Sequence, residues 1–180
     1  MGADLYIQSI SDAHRAKWTP VFDKAVAERD ALMESDGAGW RKEPTDPKKL
    51  RAFKAAQRRV DKAYGRMFAS DGYYRDSYNV SSVLWTLGLS WWQDIGKMLD
   101  HDGKLHPDNA KMLIEMIQKA TPIFNDLAAL KKHLKEHHAK LDGGENSVEG
   151  WAKYFRRERS RLVRFLRKAI NMGEPVYCSI

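Results

Sequence analysis

Apolar side chains recur along much of this chain every three to four residues, the spacing that gathers them on one side of an α-helix. The densest run lies at about 80–99. At roughly 100° per residue, Val80, Val83, Leu84, Leu87, Trp91, Ile95 and Met98 fall on one side, and Trp85, Leu89, Trp92 and Leu99 widen it. Only small or polar residues such as Ser81, Thr86, Gln93 and Asp94 remain for the rest of the circumference. A helix so apolar needs neighbours on several sides, which predicts a central helix with others packed round it. Asn79 suits its N-cap, with Ser81 and Ser82 in the first turn. Gly88 in mid-helix costs roughly 1 kcal/mol against Ala, pointing to the close approach of another helix or of a ligand. The run is too short, and too polar at both ends, to span a membrane.

The same periodicity places further helices. One, kinked or broken, runs over about 11–34, interrupted where Thr19-Pro20 reads as a cap and first helical position. A second, about 47–69, starts at Thr45 or Asp46 with Pro47 just inside; Leu50, Phe53, Ala56, Val60, Tyr64 and Met67 recur at three and four, and the outer face is basic. Others cover about 108–120 and 122–141, the latter ended by Gly143-Gly144, and the last covers about 148–171 behind a Ser147 cap. Residues 35–46 read as a loop with Trp40 folded onto the core. Residues 3–8 alternate enough for one short extended segment, and one such segment makes no sheet. No internal repeat and no series of alternating strands is visible. The expected fold is therefore all-α: a single domain over 1–180, with about six or seven helices bundled around the apolar one. A short extended N-terminal arm (1–10) and a tail (172–180) complete it.

Length, at 180 residues, is consistent with one domain and a substantial core. Cys178 is the lone cysteine, which excludes an intrachain disulfide. The opening MGADLYIQSI lacks the basic-then-apolar pattern of a secretory signal, so a cytoplasmic protein without a membrane partner is expected. The net charge of +7 is unevenly spread, because residues 149–180 carry eight Lys/Arg against three Glu. Such a balance favours anionic partners.

Two constellations could carry function. The first is the stretch before the apolar run, where Tyr73, Tyr74 and Tyr78 surround Arg75 and Asp76, and Asn79 opens the expected helix. A helix N-terminus beside an arginine suits an anion, and tyrosines suit stacking on a base or sugar. The alternative is that Arg75 and Asp76 pair locally and the tyrosines seal the core. The second is the last helix. There Lys153, Arg156, Arg157, Arg161, Arg164, Arg167 and Lys168 share one face opposite Trp151, Phe155, Leu162 and Leu166. Arginine favours bidentate contact with phosphate or carboxylate. The alternative is a solvated face paired with acids such as Asp23, Glu28 and Glu34.

Other motifs are weaker. His133, Glu136 and His137 form the H-x-x-E-H pattern of one zinc hydrolase class. No third ligand can be named, though, and the surrounding helix reads as a solvated charged face. Asp100, Asp102 and Gly103 resemble part of a calcium loop whose end ligands are missing, with Met98 and Asn109 in their places. No phosphate-binding glycine loop and no nucleophile elbow is present. Neither a cofactor nor a metal is expected, and an enzyme is the least supported class.

Three functions follow. The first is a non-enzymatic protein that captures a phosphorylated small ligand such as a nucleotide or nucleotide-derived signal, acting as a sequestering sponge. The second is a DNA- or RNA-binding regulator using the arginine-rich last helix. The third is a helical interaction module binding an acidic protein or a second copy of itself.

Overall fold

The computed structural model describes residues 2–35 and 40–180. In chain order the regular elements are β1 (Gly2–Ile7), α1 (Gln8–Asp30), β2 (Glu34–Ser35), β3 (Arg41–Lys42), α2 (Pro47–Met67), β4 (Tyr73–Ser77), β5 (Lys104–Leu105), α3 (Pro107–Lys119), α4 (Leu127–Glu136), α5 (Val148–Met172) and β6 (Val176–Ser179). They group into two compact units, one built from residues 2–8 and 72–180, the other from 9–35 and 40–71. Among the described residues no helix is long and apolar enough to cross a membrane.

The larger unit overturns the all-α expectation. It holds a four-stranded antiparallel sheet in the order β4-β1-β6-β5. The expected arm is its interior strand β1, and the tail supplies β6. Leu5 pairs with Tyr74 on one side and Cys178 on the other, and Val176 links Ile7 to Leu105. Strict alternation buries Ala3, Leu5 and Ile7 on one face, together with Tyr74 and Asp76 of β4. The helices cover that face. Tyr74 lies 6.1 Å from Phe165 of α5, α3 and α4 flank α5, and Phe124 stacks on Phe155 at 6.0 Å.

The central helix is also corrected. Residues 80–99 form a 3₁₀ turn (Trp85–Leu87), a π-helical turn (Trp91–Ile95) and a second 3₁₀ turn (Gly96–Met98). Gly88 is the break. Its φ of +70° is left-handed, and its N–H closes back on the Trp85 carbonyl. Side chains then compete for the backbone that an α-helix would have used. Asp76 takes the N–H of Val83, Ser90 Oγ takes that of Gln93, and Asp94 takes that of Ser90. The apolar residues still occupy the core: Val83, Leu84, Trp91 and Ile95 are fully buried. Trp92, by contrast, is 59 % exposed and packs beside Tyr78.

The smaller unit is a helical pair with the short hairpin β2–β3. Of the expected kink or break at Pro20, the break does not occur: α1 continues through it. Asp46 caps α2 through the Lys49 N–H, with Pro47 at its first position. Aromatic contact of Phe22 with Tyr64, and Arg66 over the Trp18 ring at 4.8 Å, bind the two helices. Residues 36–39 of the expected 35–46 loop lie outside the described residues. Trp40 is 76 % exposed rather than folded onto the core. The expected 122–141 helix is shorter: a 3₁₀ turn at Ile123–Asn125, then α4 capped by Asp126 through the N–H groups of Ala128 and Ala129.

Candidate nucleic-acid interface

The helix α5 begins where Ser147 accepts the Gly150 N–H, and it ends at Gly173 in the left-handed region. Its inner stripe is Ala152, Phe155, Glu158, Leu162, Phe165, Leu166 and Ala169, all buried. The opposite stripe carries Lys153, Arg156, Arg157, Arg161, Arg164 and Arg167, all exposed, and Lys168, half-buried. At 1.5 Å per residue the row from Lys153 to Lys168 is about 22 Å long.

These cations are not equivalent. Glu158 is the one acid on the buried stripe, 4 % exposed. Arg157 Nε donates to its Oε1 at 3.1 Å, and Arg161 Nη1 donates to Oε2 at 2.7 Å. A buried carboxylate thus anchors two guanidinium groups from below, charge-assisted on both oxygens. Arg161 also sits over the Tyr74 ring at 5.8 Å and Arg157 over the Tyr154 ring at 5.6 Å. Arg156 and Arg159 reach sideways to the carbonyls of Phe124 and Ile117. Arg159 thereby places a cation at the C-terminal end of α3. Lys153, Arg164 and Arg167 form no ion pair among the described residues. Of the acids considered as neutralisers, Glu28 pairs with Arg59 and Glu34 with Lys49, both within their own unit.

The residues expected to hold a small ligand are not brought together. Four of the six lie on β4, whose alternation sends Tyr73 and Arg75 to one face and Tyr74 and Asp76 to the other, and Tyr78 and Asn79 follow it in a turn. Asp76 is consumed structurally. It accepts from the Val83 N–H, the Ser82 hydroxyl and Trp91 Nε1, each at 2.9 Å. Burial pushes its carboxyl above the ordinary range, and these donors offset the effect only in part. The Tyr73 hydroxyl donates to Asp4, which also faces Arg75 at 3.6 Å. Burial and that carboxylate push Tyr73 up to about 12. The side chain of Asn79 orders a local turn by accepting from the Ser81 N–H and from the hydroxyls of Ser77 and Ser81, instead of capping an α-helix. Tyr78 packs on Trp92, and its hydroxyl is buried without a hydrogen-bond partner among the described residues. Tyr74 and Asp76 therefore serve the second constellation, as the floor beneath α5.

The His133 and His137 rings lie 4.6 Å apart, tilted to one another, and Glu136 pairs with Lys132. Burial, then the neighbouring His137, lowers the His133 pKa. Among the described residues no group of three or more His, Cys, Asp or Glu side chains is placed to hold a metal. The Asp100 turn is closed on itself: its Oδ1 accepts from the N–H groups of Asp102 and Lys104, and Asp102 pairs with Lys104.

Beside the N-terminal end of α5 lies a cavity of about 400 Å³, walled in part by Ser81, Asn146, Trp151, Lys153, Tyr154 and Arg157. The Tyr154 hydroxyl donates to the Ser81 carbonyl at 3.4 Å, tying the helix to the turn after β4. The sequence carried a signal for this site. Trp151 and Tyr154 are three apart, interleaved with Lys153 and Arg157, so aromatic and cationic side chains share one end of the helix.

Comparison of the chain with protein-family models, with curated proteins and with solved structures returned no match. The reading of this surface rests on its chemistry.

Proposed function

We propose that the protein binds nucleic acid, with the exposed face of α5 lying along the phosphate backbone. The observation that carries this reading is the row of exposed cations on a helix whose opposite stripe is buried, with Lys153, Arg164 and Arg167 unpaired among the described residues. Like charges at such spacing repel one another until an anion neutralises them. A polyanion with regularly spaced charges does so along the whole row, and counterion release adds affinity. The guanidinium groups of Arg157 and Arg161 are preset by Glu158, which lowers the ordering cost of contact. In the other unit α2 presents Lys48, Lys49, Arg51, Lys54, Arg58, Arg59 and Lys62 outward, a further cationic surface suited to the same class of partner.

The test is fluorescence anisotropy with a labelled mixed-sequence 20-mer. The double variant R164Q/R167Q is the informative one, because neither side chain supports the fold, whereas reversing Arg157 or Arg161 would strand the buried Glu158. The parent is expected to bind at about 50 mM salt and lose affinity steeply by 200 mM. The double variant is expected to bind more weakly at unchanged thermal stability. Absence of binding to DNA and RNA alike at about 50 mM salt would end the proposal.

A further inference from the structure

We infer that the cavity at the N-terminal end of α5 accepts an unstacked nucleobase, so that the protein engages single strands in preference to duplexes. This deepens the proposed function and rests on it. The cavity, about 400 Å³, falls in the size range of small-molecule sites. Its walls combine what a base and its flanking phosphates require. Trp151 and Tyr154 supply aromatic surface. Asn146 spends its amide N–H on Asp142 at 2.7 Å, which fixes the amide and leaves its carbonyl oxygen for an exocyclic amino group. Lys153 and Arg157, one helical turn apart, stand at the same wall and begin the cationic row. A strand whose backbone follows that row therefore reaches the cavity at its end, and a base can turn in. Duplex bases are paired and stacked, and extracting one costs a few kcal/mol.

The wall is also shaped by Gly150. A Cβ there would stand 2.3 Å from the Glu145 carbonyl oxygen, so the 3₁₀ turn Gly144–Asn146 comes against α5 only because this position is glycine. That approach brings Asn146 to the aromatic pair.

The experiment titrates full-length protein with a labelled 12-mer single strand, the matching duplex and a mononucleoside monophosphate, comparing the parent with Trp151→Leu and Asn146→Ala. The single strand is expected to bind about tenfold more tightly than the duplex. Trp151→Leu is expected to remove about tenfold of single-strand affinity while leaving duplex affinity and the salt dependence unchanged. Asn146 is exposed and outside the core, so Asn146→Ala keeps the test valid if the tryptophan variant folds poorly; it is expected to cost about fivefold. Equal binding of single strand and duplex, with both variants matching the parent, overturns the cavity assignment and leaves the phosphate interface standing. Binding of the mononucleotide without either oligonucleotide overturns the strand assignment and reassigns the cavity to a free nucleotide. Binding of none of the three overturns this inference and the proposed function together.

Discussion

Two buried carboxylates lie beneath the cationic face of α5. Glu158 keeps Arg157 and Arg161 in place, and Asp76 collects four donors from residues 82–91. Replacing Glu158 by Ala is expected to destabilise the fold by about 2 kcal/mol, since both guanidinium groups lose their acceptor, and urea denaturation measures this. Asp76 yields a pH-dependent prediction. Its folded pKa is raised by burial, so the fold favours the protonated acid. Its contribution is fully present below the ordinary carboxylate range and is lost as pH rises through the folded value. Asp76→Asn imitates the protonated acid. Its stability relative to the parent is therefore expected to rise between about pH 4 and the folded value and then level off, read from urea midpoints over that range. A flat difference would contradict the assignment. Neither role was legible from composition. Asp76 stood next to Arg75 in sequence and invited a local pair, but strand alternation points the two side chains to opposite faces.

Among the elements, the contrast between α2 and the 80–99 stretch shows what periodicity conveys. Both display apolar residues at helical spacing. In α2 the cap, the proline and the apolar stripe agree, and the helix forms as expected. In 80–99 the burial is legible and the geometry is not, because Gly88 adopts φ +70° and Ser82, Ser90 and Asp94 bond to nearby backbone. Gly88→Ala, with open space around its Cβ but a left-handed backbone, is expected to cost about 1–2 kcal/mol. A stabilised variant would mean the break is dispensable. The strands were missed for a different reason. Each is six residues or shorter; alternation marks β1 as extended, but its partners lie about 70 and 170 positions away, so no local pattern announces the sheet. Their consequence is measurable at Cys178. Burial in the sheet pushes this thiol up to about 12, which lowers its thiolate fraction about a thousandfold from that of a free cysteine. Iodoacetamide at pH 8 is expected to modify it only slowly in the native protein and rapidly in urea. Fast native alkylation would show that β6 is not held in the sheet.

At the scale of the molecule, the charge asymmetry was plain in the sequence, and it proved structurally specific. The seven cations expected on one face of the last helix are all there, six of them exposed. The inner stripe, the caps and the buried Glu158 explain why that face is turned outward. The sequence could not separate cations that brace the fold from those left over. That division depends on carbonyls and carboxylates brought in from α3, from the turn after it and from α5 itself. The most direct test of the central claim, that this face contacts phosphates, is the slope of log K against log salt for a single-stranded oligonucleotide. A backbone contact by about six cations predicts a slope near −4, shallower by about 1.4 in R164Q/R167Q, 0.7 for each lost contact. Identical slopes for parent and double variant would contradict the account.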